Sequence, residues 1–226
     1  MKGKTALVFG ATGLVGRSLL RLLEQDARYA EIVAFSRRET GSASGKIRHA
    51  IVPMERPAEW ETQVRGDVLY CCLGTTSAKA GSREAFRAVD YGLPVALAEI
   101  ASRNGIGTFA VVSSMGAHPR SPEFYTRTKG EMERDIALHP IPRQVIVRPS
   151  LLLGDRAEQR LGEDIGKTLN RLLDPWLGRV WKGWARYRGI HADTVARAMI
   201  ELAEAPAAPP RIVESDALHE WGRPRS

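Results

Sequence analysis

The chain has 226 residues, of which 43% are hydrophobic, and this is enough apolar material for a single α/β domain over residues 1–226. No apolar stretch approaches the roughly 20 residues of a membrane span, and no signal peptide precedes the first predicted strand, so we expect no membrane span and a cytoplasmic location. The net charge of +7 favours anionic partners, and a phosphorylated cofactor accounts for it more simply than nucleic acid, which we do not expect as a partner.

The first element in chain order is a short apolar strand that runs into three glycines at threefold spacing, over residues 5–16. Gly10 permits a sharp turn off the strand, Gly13 leaves bare backbone for a pyrophosphate, and Gly16 lets the next helix pack close to the sheet. The amino end of that helix favours phosphate through its free N–H groups and its dipole. This order predicts a nucleotide cofactor. The residues expected to contact it here are Gly10, Thr12, Gly13, Leu14, Val15 and Gly16.

The end of the second predicted strand, at 31–36, indicates which nicotinamide cofactor the chain prefers. In dinucleotide folds a carboxylate at this position hydrogen-bonds the ribose 2′-hydroxyl and repels a 2′-phosphate. Ser36, Arg37 and Arg38 stand there instead. Because a hydroxyl and guanidinium groups can bind a 2′-phosphate through charge-assisted hydrogen bonds, we expect NADP(H) rather than NAD(H). The alternative is that the two arginines only begin a solvated loop.

Strands and helices alternate along most of the remaining chain. Further strands are predicted at 47–52, 68–73, 109–112, 144–147 and 212–213, the last of them before a polar tail. Helices are predicted at 12–24, 57–64, 83–103 with a bend near Gly92-Leu93-Pro94, 124–138, 158–173 and 193–205, and a loop at 41–45. This alternation predicts right-handed βαβ units and a Rossmann-like, doubly wound parallel sheet.

Cys71 and Cys72 are neighbours inside the predicted strand at 68–73. They cannot form a disulfide framework, so we expect two small core residues in a reducing compartment. No cluster of histidines, cysteines and acids has the spacing of a metal site, and we expect none.

The roles of several polar and aromatic residues are open at this level. Aromatic and basic residues interleave at 176–188, where they could stack a planar ligand, meet a partner protein, touch nucleic acid or cover a helix. Asp193 is expected to cap the helix that follows it, and His191 to be structural, with a ligand role as the alternative. Glu131 and Glu133 are assigned to the surface of their helix.

A candidate catalytic set follows the fifth predicted strand. Tyr125 and Lys129 are four residues apart in a predicted helix, so both project from one face. An ammonium beside a phenol favours the phenolate and should bring its pKa closer to neutral, where it can exchange a proton with a carbonyl or an alcohol. Lys129 could also hold the cofactor ribose. Ser113 and Ser114 end the strand, where a hydroxyl can orient the carbonyl group.

At this point the chain resembles the short-chain dehydrogenase/reductase superfamily, and in particular its atypical branch, whose G-x-x-G-x-x-G form is matched by the three glycines. It is similar, more closely still, to the Tat-interacting-protein-like oxidoreductases. The segments that carry this likeness span nearly the whole chain. They are CCLGTT at 71–76, KAG at 79–81, SSMGA at 113–117, YTRTKGE at 125–131 and IVES at 212–215.

The resemblance implies an NADP-binding Rossmann domain in which Gly74 and Thr75 line the cofactor and Pro149 passes near the nicotinamide amide. Its implied triad is Ser114, Tyr125 and Lys129, with Ser113 as the fallback for the serine. Residues 150–190 would form the substrate side.

The chain departs from the pattern of the superfamily at two places. The position that matches the superfamily's active-site asparagine carries an acid, Asp90, so a proton relay that depends on asparagine is in doubt. Pro53 and Met54 replace the aspartate that commonly contacts adenine, which leaves adenine to backbone and apolar contacts.

Two hypotheses follow. The first is an NADPH-dependent reductase of a small carbonyl compound, or its reverse, with Tyr125 as general acid and base. The second is a redox-responsive protein that binds NADPH without chemistry and changes its protein partner. In the second case Ser114 caps a turn, Tyr125 packs on the sheet and Lys129 is solvated. Both hypotheses allow an oligomer, and the sequence does not disclose the oligomeric state.

Overall fold

The computed structural model describes residues 3–38, 45–153, 189–207 and 211–224. Its strands are β1 (Lys4–Phe9), β2 (Tyr29–Ser36), β3 (Ile47–Ile51), β4 (Val68–Cys71), β5 (Thr108–Val112), β6 (Arg143–Arg148), β7 (Leu152–Leu153), β8 (Ile190–His191) and β9 (Ile212–Glu214). Its α-helices are α1 (Leu14–Gln25), α2 (Ser77–Ala80), α3 (Arg83–Arg87), α4 (Leu93–Arg103), α5 (Phe124–Ile136), α6 (Ala192–Glu204) and α7 (Ser215–Trp221). Two 3₁₀ turns (Pro57–Glu59 and Glu61–Gln63) and a π turn (Ala88–Gly92) complete these elements.

Three predictions fall on parts of the chain outside the described residues. They are most of the loop at 41–45, the helix at 158–173 and the aromatic and basic stretch at 176–188.

In the described part of the chain, the main sheet is parallel and has the strand order β3-β2-β1-β4-β5-β6-β9. β1 pairs with β2 on one side and with β4 on the other, so the direction in which the chain crosses the sheet reverses between β3 and β4. Such a switch point opens a crevice beyond the carboxyl ends of the strands, which is where α/β folds bind ligands. The predicted doubly wound parallel sheet is confirmed.

The core lies on both faces of the sheet because strand residues alternate between the two faces. Ala6 and Val8 of β1 pack into the cluster shared with α1 and α6, whereas Leu7 and Phe9 pack into the cluster shared with α4 and α5. All four side chains are fully buried. Phe9 stacks on Phe35 of β2 with ring centroids 4.4 Å apart, which adds about 0.5–1.5 kcal/mol to the area term.

The predicted helix at 57–64 is instead the pair of 3₁₀ turns. Trp60 lies between them and is fully buried, and its indole N–H donates to the carbonyl oxygen of Pro53 over 2.8 Å. Because this hydrogen bond fixes the segment close to the end of β3, the chain turns tightly here and does not extend into a longer helix.

The chain is helical over 83–103, and its regular α-helical winding is interrupted by the π turn, which ends at Gly92, next to the predicted bend. The π turn joins α3 to α4, and Pro94 stands in the first turn of α4, where the missing N–H costs little. The other predicted strands and helices within the described residues occur, with ends displaced by one or two residues.

The carboxyl-terminal part differs from the prediction in two details. His191, not Asp193, occupies the N-cap of α6, and Asp193 lies in the first turn, where it forms an ion pair with Arg21 of α1 at 2.5 Å. The predicted polar tail contains α7. Leu218 is fully buried and Trp221 packs against the core, so α7 is held by an apolar face that the short segment did not reveal.

Candidate functional site

The turn between β1 and α1 has the geometry that a diphosphate requires. Gly10 has a φ of +81°, and a Cβ there would lie 2.5 Å from the backbone of Cys72, just after β4. Gly16 packs so closely that a Cβ would overlap the carbonyl oxygen of Gly10. Gly13 is the N-cap of α1, with no side-chain cap and no acid in the first turn, so the helix end presents open N–H groups. A dinucleotide diphosphate therefore fits this cradle.

The other residues predicted in this turn differ in exposure. Thr12 is exposed and Leu14 is half-buried, so both can meet a ligand in the crevice. The side chain of Val15 belongs to the core. Val15 can therefore offer a cofactor only its backbone.

The end of β2 presents two arginines but no free serine proton. Arg37 and Arg38 are exposed beyond the strand. Ser36 is buried, and its hydroxyl donates to the carbonyl oxygen of Arg38. The hydroxyl proton thus shapes the loop, and a 2′-phosphate at this place would depend on the guanidinium groups.

The segment after β4 is tied to the π turn by a buried carboxylate. The backbone N–H of Thr75 donates to Oδ2 of Asp90 over 2.8 Å. Gly74 stands against the same carboxylate, since a Cβ on it would lie 3.5 Å from Oδ1. Asp90 is 1% exposed, so a buried carboxylate holds the loop after β4, which is predicted to line the cofactor.

Helix α5 places Tyr125 and Lys129 on the face that looks toward the ends of β4 and β5. Its position is set by Gly130, where a Cβ would overlap the backbone of His118. The helix therefore approaches the loop after β5 more closely than another residue would allow. Lys129 is 3% exposed, and its Nζ lies 2.9 Å from Oδ1 of Asp90.

Tyr125 is half-buried and lies beside Phe86, with ring centroids 5.7 Å apart. The Ser114 hydroxyl donates to the carbonyl oxygen of Met115 over 3.1 Å, and it lies near enough to the Tyr125 phenol to lower the pKa of that group. The structure thus brings Ser114, Tyr125 and Lys129 together.

The expected lowering of the tyrosine pKa is wrong in this structure. Burial raises the pKa of Tyr125 above 10.0, and the charge of Asp90 adds to this effect, while Lys129 and Ser114 oppose it. Burial alone would lower the pKa of Lys129, yet the ion pair with Asp90 leaves that pKa raised. Burial therefore outweighs the effect of the lysine charge, which Asp90 also offsets, and the phenol keeps its proton at neutral pH.

Ser113 has a different environment from Ser114, since neighbouring residues at a strand end point to opposite sides. Its hydroxyl donates to Oε1 of Glu133 over 2.5 Å. The same carboxylate pairs with Arg148, whose Nη2 lies 2.5 Å from Oε2, and Arg148 also pairs with Glu214 at 2.8 Å. Glu133 is 6% exposed, so its assignment to the surface is wrong. Ser113 is occupied by this network and is a poor substitute for Ser114.

The loop after β6 lies beside the loop after β5, which carries Ser114. The carbonyl oxygen of Pro149 accepts a hydrogen bond from the N–H of Met115 over 3.1 Å, and the hydroxyl of Ser215 donates to that of Ser150 over 3.0 Å. Pro149 therefore lies next to the loop that carries Ser114.

Asp90 and Glu133 are the residues whose role at the site the sequence did not reveal. Glu133 follows Tyr125 and Lys129 at the same four-residue interval, which places all three on one helix face. That spacing was the available signal for Glu133. The sequence shows Asp90 only as an acid in place of the superfamily's asparagine, because nothing in the sequence indicates that it faces Lys129.

Within the described ranges, no group of three or more histidines, cysteines and acids is placed to hold a metal ion. In those same ranges, none of the helices combines the length and the apolar character that a membrane crossing needs.

Comparison with protein families gives a match over residues 6–214 to the NAD dependent epimerase/dehydratase family. Among curated proteins, the chain is 34% identical to the protein FMP52, mitochondrial, of Candida albicans, with 88% of each chain covered. It is 35% identical to the protein of the same name from Saccharomyces cerevisiae, covering 87% of this chain and 86% of that protein. It is 30% identical to the protein HTATIP2 of Rattus norvegicus, covering 99% of this chain and 91% of that protein.

Solved structures share the fold at low sequence identity. The ADP-L-glycero-D-manno-heptose-6-epimerase of Helicobacter pylori superposes with a TM-score of 0.68 at 16% identity, over 94% of this chain and 77% of that one. MoeE5, solved with UDP-glucose and NAD, gives a TM-score of 0.66 at 19% identity, over 89% of this chain and 72% of that one. Identities this low show the likeness of the fold alone.

The expectation of a cytoplasmic protein is wrong by these comparisons. The FMP52 relatives from Candida albicans and Saccharomyces cerevisiae are both named as mitochondrial.

Proposed function

Because the chain belongs to the NAD-dependent epimerase/dehydratase family, and with it to the atypical branch of the short-chain dehydrogenase/reductase superfamily, we propose that it is an NADP(H)-dependent reductase of a small carbonyl compound. The observation that carries this proposal is the meeting of Ser114, Tyr125 and Lys129 at the carboxyl ends of β4 and β5. The glycine turn opens at the same edge of the sheet.

The cofactor would be held along the switch-point crevice. The backbone around Gly10, Gly13 and Gly16 would take the diphosphate, and Gly74 and Thr75 would line the dinucleotide after β4. Pro149 would border the nicotinamide amide. When bound, the reduced cofactor supplies a hydride for the carbonyl carbon.

We assign the proton to Tyr125. The phenol, whose pKa is raised, carries its proton at neutral pH and can donate it to the oxygen of a carbonyl as that carbon is reduced. Ser114 would orient the same oxygen by a hydrogen bond, and Lys129 would stabilise the phenolate that proton donation leaves behind. Phe86 packs beside the phenol ring and would help to hold it in place.

The preference for NADP(H) over NAD(H) is part of the proposal. Arg37 and Arg38 are exposed at the end of β2, in reach of a 2′-phosphate, and no acid stands in that position. Guanidinium groups bind phosphate through paired, charge-assisted hydrogen bonds. The substrate would be bound by the segment at 150–190, of which 154–188 lie outside the described residues.

A second candidate function is a protein that binds NADPH and performs no chemistry. The observation that favours it is the ion pair between Lys129 and Asp90, which leaves the lysine charge offset and the pKa of Tyr125 raised.

Turnover with a matched pair of variants separates the two candidates. NADPH oxidation is followed across a panel of aldehydes and ketones for the wild type and Tyr125→Phe, and dinucleotide affinity is measured for both by calorimetry. Tyr91→Phe is the control, since it removes a phenol that donates to Asp135 over 2.8 Å outside the crevice. Turnover that Tyr125→Phe abolishes, with NADPH affinity and the control intact, supports the reductase. Tight NADPH binding without turnover supports the second candidate.

A further inference from the structure

The buried charge of Asp90 is not explained by a contribution to the stability of the fold. Its carboxylate and the Lys129 ammonium are 1% and 3% exposed, and they lie 2.9 Å apart. Removing two charges from water costs about as much as their attraction returns, so a buried pair is no more stabilising than apolar residues of the same volume. An ion pair kept at the edge of a cofactor crevice therefore points to a role in the site.

The geometry around Asp90 connects two parts of that site. Oδ1 faces Lys129 on α5, and Oδ2 accepts the N–H of Thr75 from the loop after β4 over 2.8 Å. The ammonium also lies 3.5 Å from the carbonyl oxygen of Val112, which is the long limit of a hydrogen bond. Asp90 itself lies in the π turn, a local distortion that occurs often at functional sites.

We propose that Asp90 is a positioning residue of the oxidoreductase site. Its carboxylate fixes the Lys129 ammonium and the Thr75 amide relative to each other, and it offsets the lysine charge beside Tyr125. This inference rests on the proposed function for the meaning of the site, but the contacts themselves do not depend on it. An asparagine, which occupies this position in the wider superfamily, could keep the amide contact but would carry no charge.

The effect of removing Asp90 on the pKa of Tyr125 depends on the charged groups that lie near the phenol. Three charged groups act on the phenol, namely Lys129 on the same helix, Asp90 in the π turn and Glu123 at the start of α5. The thiol of Cys71, which is neutral, acts on Lys129 from β4. Without the carboxylate of Asp90, one negative charge fewer faces the coupled phenol and ammonium, so the first proton leaves this pair at a lower pH. A phenolate beside an uncompensated ammonium is favoured, so Tyr125 should lose its proton at a lower pH.

The test is a titration of the Tyr125 phenol in Asp90→Asn. This variant keeps the volume and an oxygen for the Thr75 amide and removes only the charge. Phenolate formation is followed by ultraviolet absorbance in the wild type and in Asp90→Asn, and each curve is corrected with the same protein carrying Tyr125→Phe. The inference predicts a midpoint lower by about one pH unit in Asp90→Asn. An unchanged or higher midpoint would overturn it.

A second comparison covers the case in which Asp90→Asn does not fold because Lys129 is left buried without its partner. Lys129→Gln and the double variant Lys129→Gln/Asp90→Asn are titrated in the same way. The midpoint of Tyr125 should be lower in the double variant, since the negative charge of Asp90 is gone, and equal midpoints would overturn the inference. Because neither titration needs a substrate, absence of turnover would contradict the proposed function while a shifted midpoint still supported the role of Asp90.

Discussion

Arg148 and the buried Glu133 form an ion pair, in which the guanidinium Nη2 and the carboxylate Oε2 are 2.5 Å apart. The pair joins β6 to α5, the helix that carries Tyr125 and Lys129. Ser113 at the end of β5 donates to the same carboxylate over 2.5 Å. One glutamate therefore fixes the end of β5, the neighbouring strand β6 and helix α5 relative to one another.

Glu133→Gln should lower the free energy of unfolding by about 3 kcal/mol, because it leaves a largely buried guanidinium without its main partner. Chemical denaturation measures this change. Glu214→Gln is the matched control, since Glu214 pairs with the same Arg148 but its side chain is 38% exposed, so it should cost less than about 1 kcal/mol. Equal losses in the two variants would show that Glu133 has no special place in the network.

The fold could be predicted from the sequence because its strongest signals are local. Three glycines at threefold spacing follow an apolar strand, and at Gly10 and Gly16 the structure shows a steric reason for the glycine. The parallel sheet followed from the alternation of fully apolar strands with helices. The segment around Trp60 was predicted wrongly because its form depends on an indole hydrogen bond to Pro53, which periodicity does not encode.

The site could be predicted only as far as residues that lie close together in sequence. Tyr125 and Lys129 share a helix face by their spacing. Their electrostatic state could not be predicted, because it depends on Asp90 from the π turn. Glu133 was placed at the surface for a similar reason, since its partner Arg148 is 15 residues away in the chain.

The raised pKa of Tyr125 determines the pH dependence of the proposed reaction. Reduction uses the protonated phenol as the acid, and this form persists up to a pKa above 10.0. The value of kcat/KM for carbonyl reduction should therefore stay constant through neutral pH and fall only above about pH 10. Oxidation of the corresponding alcohol uses the phenolate, so its kcat/KM should rise with pH over the same range. A reduction profile that falls at about pH 7 to 8 would contradict this prediction.

Gly16→Ala should disrupt the cofactor turn, because the added Cβ would overlap the carbonyl oxygen of Gly10 and lie 2.9 Å from Cα of Ala11. We expect a loss of about 1–3 kcal/mol in unfolding free energy, typical of overpacking, and a loss of dinucleotide binding by calorimetry. Gly92→Ala is the control, since its Cβ would meet nothing closer than 3.7 Å, and alanine is the better helix former by about 0.5–1 kcal/mol. Dinucleotide binding that survives Gly16→Ala undiminished would contradict the assignment of this turn.

The exposed arginines after β2 predict how the cofactor preference can be changed. Arg37→Ala and Arg38→Ala should each weaken NADPH binding by about tenfold to a hundredfold, because a hydrogen bond to a charged group contributes about 1.5–3 kcal/mol. NADH has no 2′-phosphate, so its affinity should stay the same, and the ratio of the two dissociation constants is the quantity to measure.

Arg65→Ala provides the control for this prediction, since it removes the same charge from an exposed arginine before the amino end of β4, at the opposite edge of the sheet. Arg65 donates to the carbonyl oxygen of Thr62 over 3.1 Å, and its loss should leave both affinities unchanged apart from a small effect of net charge. If the arginine variants after β2 weakened NADH and NADPH equally, or if Arg65→Ala weakened NADPH as much as they do, the 2′-phosphate would not be bound at this place. The guanidinium groups of Arg37 and Arg38 would then belong to a solvated loop, and the preference for NADP(H) would lose its physical basis.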